Sequence, residues 1–244
     1  MRKLGQHFLT NPAIAKRIVD AADITKNDSV LEVGPGRGML TQFLVEKAKK
    51  VIAVERDKKL ASFLQEKFAD KKNIEIIESD ILKITSYELR VTSYKVVANL
   101  PYYITSRFLR LFLENIKNKP QSMTLMVQKE VAERICAKPP QMNLLALSVQ
   151  AFGRPKILFN VKKGSFSPPP EVDSALICIE NISDAFFKKH GIPPEEFFKL
   201  PKKAFSQKRK MLRASINVKH LVFDKKRPQE LGLADWVELC KAKL

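Results

Sequence analysis

The chain is short of cysteine, of unbroken apolar runs and of acid. Its 244 residues hold three cysteines, Cys136, Cys178 and Cys240, which lie far apart with no CxxC pair among them. That pattern argues against a disulfide framework and offers no metal site, so no metal is expected and the thiols read as reduced and structural. No apolar run reaches the roughly 18 residues that cross a bilayer, which leaves a membrane span without a candidate. The first 20 residues, "MRKLGQHFLTNPAIAKRIVD", start basic but lack a continuous apolar stretch and a small-residue cleavage site. No export signal is expected, and the protein should work in the cytoplasm where it is made, as a monomer by default. Internal repeats and low-complexity linkers are missing too.

What is present is a sizeable apolar fraction and a large excess of base. Hydrophobic residues make up 45% of the chain, enough for one large domain, or for one domain with a small appendage. Lys and Arg number 44 against 26 Asp and Glu, a formal net charge of +18. Such an excess repels itself in the compact state, and a polyanion such as nucleic acid would offset it. The plainer reading is solubility, and charge alone does not decide between the two.

Apolar strand candidates alternate with amphipathic helix candidates through the first two thirds. "SVLEV" (29–33) is followed by a helix from Met39 to about Ala48, and "KVIAVE" (50–55) by a helix over Asp57–Ala69. In the latter, Leu60, Phe63, Leu64 and Phe68 recur at helical spacing. "IEIIES" (74–79), "YKVVAN" (94–99) and "SMTLMVQ" ending at Gln128 continue the series, with "TSRFLRLFLENI" (105–116) as an intervening helix. Such alternation predicts a Rossmann-like, doubly wound, mostly parallel α/β sheet. "KILFNV" (156–161) and "SALICIE" (174–180) have only a loop between them, which suggests an antiparallel pair closing the sheet. Beyond Asn181 short helices are expected, punctuated by Pro193, Pro194, Pro201 and Pro228. That tail carries +8 over 64 residues against +10 over the preceding 180, about twice the charge density. The expected division is therefore a sheet domain over 1–180 and a basic all-helical domain over 181–244.

"LEVGPGRGML" (31–40) stands where the first of these strands hands over to its helix. Gly34, Gly36 and Gly38 let the backbone turn tightly and approach a ligand. It is not a Walker loop, since Met39 and Leu40 stand where Lys and Ser/Thr would be needed. Glu55 ends the next strand, 21 residues after Gly34, where a carboxylate can accept from both ribose hydroxyls. Asp80 follows the third strand, in position to accept from an exocyclic adenine amine. Each acid alone also fits a solvated carboxylate at a strand end. Together, a glycine loop and two acids at three successive strand ends indicate an adenosine, which NAD and S-adenosylmethionine both carry.

"VVANLPYYITS" (96–106) narrows that choice. Pro101 fixes φ and forces a preorganised turn beside the adenosine site. Asn99 offers an amide oxygen, the neighbouring backbone carbonyls can point the same way, and Tyr102 offers an aromatic face for a planar base. A base amine is a poor nucleophile because its lone pair is delocalised into the ring. Acceptors that hold its hydrogens favour a pyramidal nitrogen, so geometry can replace a general base. A methyl sulfonium is already activated, whereas a nicotinamide would give this constellation nothing to do. Tyr103 is expected to pack against the following helix.

These motifs resemble those of the ribosomal RNA adenine N6,N6-dimethyltransferases over nearly the whole chain. "LGQHFL" (4–9) resembles that family's N-terminal arm, "EVGPGRGMLT" its first cofactor motif and "NLPYYIT" its catalytic motif. "VQKEVAERI" (127–135), "FSPPPEVDSALI" (166–177) and "FSQKRKMLR" (205–213) resemble three more, the last two favouring the 16S over the 23S rRNA branch. The resemblance implies S-adenosyl-L-methionine as cofactor, contacted by His7, Leu9, Gly34, Gly36, Glu55, Asp80 and Asn99. It implies that Asn99, Leu100, Pro101 and Tyr102 hold the target adenine while Phe166 packs on its other face. Read without the family, Phe166 is as readily a core aromatic and His7 a surface residue. One departure is Met142-Asn143, where the family carries Tyr-Gly before the "LSV" helix; it bears on the local loop and on RNA contacts.

Read as one helix, "AFSQKRKMLRASI" puts Phe205, Leu212 and Ile216 on a single stripe. Lys208, Arg209, Lys210 and Arg213 then face RNA phosphates, or simply water. The implied partner is 16S rRNA in the immature small ribosomal subunit, dimethylated at two adjacent adenines near its 3′ end. A target base must leave its stack to reach Asn99, at a cost of about a few kcal/mol. Two other readings stay open: a 23S rRNA methyltransferase conferring antibiotic resistance, and a ribosome-assembly factor with vestigial catalysis.

Overall fold

The computed structural model describes residues 7–85, 89, 91–216 and 222–242. Among the described residues nine strands form: β1 (Phe8–Leu9), β2 (Ser29–Val33), β3 (Lys50–Glu55), β4 (Ile74–Glu78), β5 (Lys95–Asn99), β6 (Ser122–Gln128), β7 (Arg154–Val161), β8 (Phe166–Ser167) and β9 (Ser174–Glu180). The main sheet runs β4-β3-β2-β5-β6-β9-β7. Its first five strands are parallel, and β9 runs antiparallel to β6. The strand order reverses between β2 and β5, so the ends of β2, β3 and β5 open a crevice at the switch point.

Local sequence accounts for this sheet. Val51 through Val54 of β3 and Val96 through Ala98 of β5 are all buried, as expected of parallel strands covered on both faces. The helices are α1 (Pro12–Ala21), α2 (Thr41–Lys47), α3 (Lys58–Lys67), α4 (Thr105–Arg110), α5 (Lys129–Ile135), α6 (Leu144–Gln150), α7 (Ala185–His190), α8 (Pro194–Phe205), α9 (Leu212–Ser215) and α10 (Leu233–Lys241). Asn11 caps α1 by accepting from the amides of Ala13 and Ile14, and Asp57 caps α3 in the same way. A π-helical turn, Leu111–Asn115, extends α4. Among the described residues no helix is long and apolar enough to cross a membrane.

The chain divides into two compact units. The first takes the described residues up to Ala132 together with Lys156–Ile182, and the second takes Glu133–Pro155 with the described residues from Ser183 onward. Residues 133–155, placed with the sheet domain on sequence, thus group with the basic tail. The side-chain amide of Gln150 donates to the carbonyls of Ile135 and Ala137, and the Phe152 ring lies 4.8 Å from that of Phe187. Phe187, Phe197 and Phe198 complete an aromatic core in this unit.

The long helix expected over 204–216 is interrupted. α8 ends at Phe205 and α9 starts only at Leu212, with Ser206–Met211 exposed between them. The Ser206 hydroxyl turns back onto the Lys203 carbonyl at 2.7 Å. The amides of Leu212 and Arg213, which a continuous helix would give to the preceding turn, donate instead to the carbonyls of Lys226 and Asp224 at 2.9 and 3.0 Å. Partners distant in sequence thus outcompete the local pattern. Leu212 and Ile216 are nevertheless buried, and the cations at 208–210 sit on an exposed turn rather than on a helix face.

Candidate active site

β2 ends at Val33 and the chain turns at once through Gly34 and Gly36, whose φ values of +65° and +58° lie in the left-handed region. A Cβ on Gly36 would meet the Phe8 ring at 3.0 Å, so the glycine also admits the N-terminal arm. Glu55, at the end of β3, is buried and fixes this loop: Oε2 accepts from the Gly36 amide at 3.1 Å and Oε1 from the Asp57 amide at 2.9 Å. Each carboxylate oxygen retains a lone pair.

Two neighbouring cavities open at the strand ends, and Gly34, Glu55 and Pro101 line both. The first is also lined by His7, Leu9, Gly36, Asn99, Leu100 and Tyr102. The second is lined by Asp80, Arg56 and Tyr103 among others. Every residue expected at the cofactor thus borders one of the two. Asp80 is partly committed already, since one oxygen accepts from the Leu82 amide at 3.1 Å and the other lies 3.8 Å from Arg56 Nε.

One wall of the first cavity was not singled out on sequence. Glu32 lies in β2 with 1% exposure, its carboxyl beside the hydroxyl and amide of Thr41 but without a hydrogen bond of normal length among the described residues. Burial pushes its pKa up to about 8; the Thr41 hydroxyl and amide pull the other way and the charge of Glu55 adds to the rise. The available signal was an acid inside an otherwise apolar strand, directly before a glycine loop. A buried carboxyl with no close protein partner suits a cationic ligand group.

β5 delivers Asn99 to the same cavity. The Asn99 Nδ2 donates to the His7 carbonyl at 3.3 Å. A carbonyl can only accept, so this bond sets the amide's orientation and leaves Oδ1 as its available acceptor. Pro101, at φ −56°, then leads into a short 3-10 turn over Tyr102–Ile104. The Tyr102 ring is half-buried, stacks on the His7 imidazole at a centroid distance of 6.0 Å and bonds Ser174 Oγ through its phenol at 2.7 Å. Burial raises the phenol pKa, and the Ser174 hydrogen bond partly offsets the rise.

Two residues sit otherwise than expected. Phe166 does not line either cavity: it is 4% exposed and belongs to the hydrophobic core with Leu9, Val161 and Leu176. The cause is backbone pairing, since β8 runs antiparallel to β1 with Leu9 opposite Phe166. Tyr103 is 56% exposed rather than packed against α4.

The chain matches the ribosomal RNA adenine dimethylase family over residues 1–239. It belongs to that family. Members are S-adenosylmethionine-dependent methyltransferases of ribosomal RNA adenine. The chain is 49% identical over 211 residues to the "Ribosomal RNA small subunit methyltransferase A" of Dehalococcoides mccartyi, covering 86% of this chain and 72% of that protein. It is similar in structure to a dimethyladenosine transferase from Plasmodium falciparum, with a TM-score of 0.84, 28% identity and 96% of each chain covered. The 23S rRNA methyltransferase ErmE shares the fold, with a TM-score of 0.69 at 24% identity over 96% of this chain and 98% of that one.

The residues of this dimethylase suit S-adenosylmethionine. Its ammonium matches the buried Glu32 carboxyl at the cavity wall, and its ribose diol matches the remaining lone pairs of Glu55. The second unit adds a separate basic cleft. Lys208, Arg209 and Arg227 line it with Gln141, Met142 and Gln229, and no carboxylate is among the lining residues. Arg227 was not foreseen because its place beside the 208–209 turn depends on folding. Met142-Asn143 forms part of the same wall. Met142 is buried, while Asn143 caps α6 through Oδ1 to the Ala146 amide at 3.0 Å and ties Nδ2 to the Arg134 carbonyl at 2.9 Å. The departure from Tyr-Gly thus brings a capping side chain that glycine lacks.

Proposed function

We propose that this chain transfers methyl groups from S-adenosyl-L-methionine to N6 of two adjacent adenosines near the 3′ end of 16S rRNA, acting as a cytoplasmic monomer on the immature small ribosomal subunit. The small-subunit assignment is supported by the names of its relatives. The chemistry is supported above all by the Asn99 amide, whose nitrogen is held by the arm while its oxygen stays available at the cavity. Gly34, Gly36, Glu32 and Glu55 hold the cofactor, with Asp80 at its adenine end and His7 and Leu9 closing over it. When bound, the cofactor supplies a methyl carbon already activated by its sulfonium.

Asn99 Oδ1 accepts one amine hydrogen of the target adenine, and a nearby backbone carbonyl takes the other. The nitrogen lone pair would then be turned out of the conjugated ring toward the bound methyl donor. Neutral acceptors suffice, because an alkylated adenine amine is acidic enough to lose its proton to water. Tyr102 presents the ring face that His7 does not cover. The extruded base costs about a few kcal/mol, which phosphate contacts from Lys208, Arg209, Lys210 and Arg213, joined by Arg227, offset.

The deciding experiment supplies labelled methyl donor and compares immature small-subunit particles with 23S rRNA fragments, mapping the products by mass spectrometry. Dimethyladenosine at two adjacent 16S positions is expected. Methylation confined to the 23S fragments, or none by cofactor-loaded protein, overturns the reading.

A further inference from the structure

Asn99 and Tyr102 flank the Pro101 turn, and each is held from outside the loop. The arm holds Asn99 through the His7 carbonyl, and the His7 ring is itself anchored by Nδ1 to the Pro168 carbonyl at 2.8 Å. Tyr102 is held by Ser174, which opens β9 opposite Gln128 of β6. Ser174 is 0% exposed, so its hydroxyl is set in the packed sheet, and its 2.7 Å bond with the Tyr102 phenol ties the loop to that sheet.

A tyrosine ring on a turn would otherwise rotate about two side-chain bonds, and any base stacking on it would have to select one arrangement. The phenol–hydroxyl bond removes that freedom at one end of the ring, and the His7 imidazole covers one face. We propose that Ser174 is a positioning residue for methyl transfer: it fixes the plane of Tyr102 so that the uncovered ring face meets the acceptor adenine in a reactive pose. This rests on the reading of Tyr102 as the stacking surface.

A double-mutant cycle tests it, using the full chain, a ribosomal RNA acceptor that the wild type methylates, and separate measurements of cofactor affinity. Ser174→Ala and Tyr102→Phe each remove one side of the bond, and the second leaves the buried strand intact should the first fold poorly. Each is expected to lower kcat by about tenfold, with cofactor affinity unchanged. The double variant should lose about the same tenfold rather than about a hundredfold, because the two groups act as one unit. Ultraviolet titration, taken as the difference from Tyr102→Phe, should show the Tyr102 phenol ionising at higher pH in Ser174→Ala, since the serine hydrogen bond lowers its pKa. Additive losses, full activity in Tyr102→Phe, or an unmoved phenol overturn the proposal. Tyr102→Ala separates the two levels. If it too keeps full activity, the stacking reading falls with the proposal; if it is impaired while Tyr102→Phe is not, the positioning role alone falls.

Discussion

Polar groups around the cofactor cavity and those around the basic cleft are held in contrasting ways. In the first unit Glu55 is pinned by two backbone amides, Asn99 by a carbonyl of the arm and Tyr102 by a buried serine. In the second, Lys208, Arg209 and Arg227 carry their charge on exposed side chains around an acid-free cleft. Chemistry at a nitrogen lone pair needs angles fixed before the substrate arrives, whereas attraction to phosphate tolerates loose geometry and depends on charge and salt. Substitutions in the two regions should therefore fail in distinguishable ways.

The largest effect belongs to Asn99. Asn99→Ala should lower kcat by about 10²–10³-fold, while leaving cofactor affinity within a small factor, as read by single-turnover methyl transfer and equilibrium dialysis. An equal fall in cofactor affinity would move Asn99 from acceptor orientation to cofactor binding.

Glu32 comes next. Glu32→Gln should weaken cofactor affinity by about tenfold. With a folded-state pKa of about 8 against an ordinary 4.5, the free protein binds one more proton than the unfolded chain between those values. Its contribution to stability is thus fully present below about pH 4.5 and lost as pH rises through about 8, and Glu32→Gln should flatten that slope in melting curves. A cofactor ammonium favours the carboxylate, so binding at pH 7 should release a proton. Calorimetry in buffers of different ionisation enthalpy reads this release, which the Gln variant should abolish.

In the cleft, replacing Lys208, Arg209 and Arg227 with Gln should weaken RNA binding and reduce the salt slope of log affinity by about 0.7 for each phosphate no longer neutralised. Neither cofactor affinity nor kcat at saturating RNA should move. A fall in kcat would break the contrast between the two regions. The smallest effect is expected at Asn143, where Asn143→Ala should cost about 1 kcal/mol through loss of the α6 cap, read as a melting shift of about 2–4 °C.

The legible and illegible parts of this chain differ in how far apart the deciding residues lie. β2, β3 and β5 were readable because parallel core strands are mostly apolar, and the glycine loop, Glu55 and Asp80 because they stand at the ends of β2, β3 and β4. The burial of Phe166 was not legible because it follows from pairing with Leu9, far away in the chain. The continuous helix through Lys208 failed for a similar reason, its amides being captured by Asp224 and Lys226. Arg227 and Ser174 become interpretable only when the fold brings them beside Arg209 and Tyr102. Glu32 lay in plain view, but its burial at the cavity wall is a property of three dimensions.

A crystal structure with S-adenosylhomocysteine tests the central geometry most directly. The sulfur is expected at the cavity bordered by Asn99, with the ribose on Glu55, the ammonium on Glu32, and Asn99 Oδ1 turned toward open space beside the sulfur. An Asn99 side chain directed away from the sulfur, with protein atoms filling the place of the incoming adenine, would contradict it.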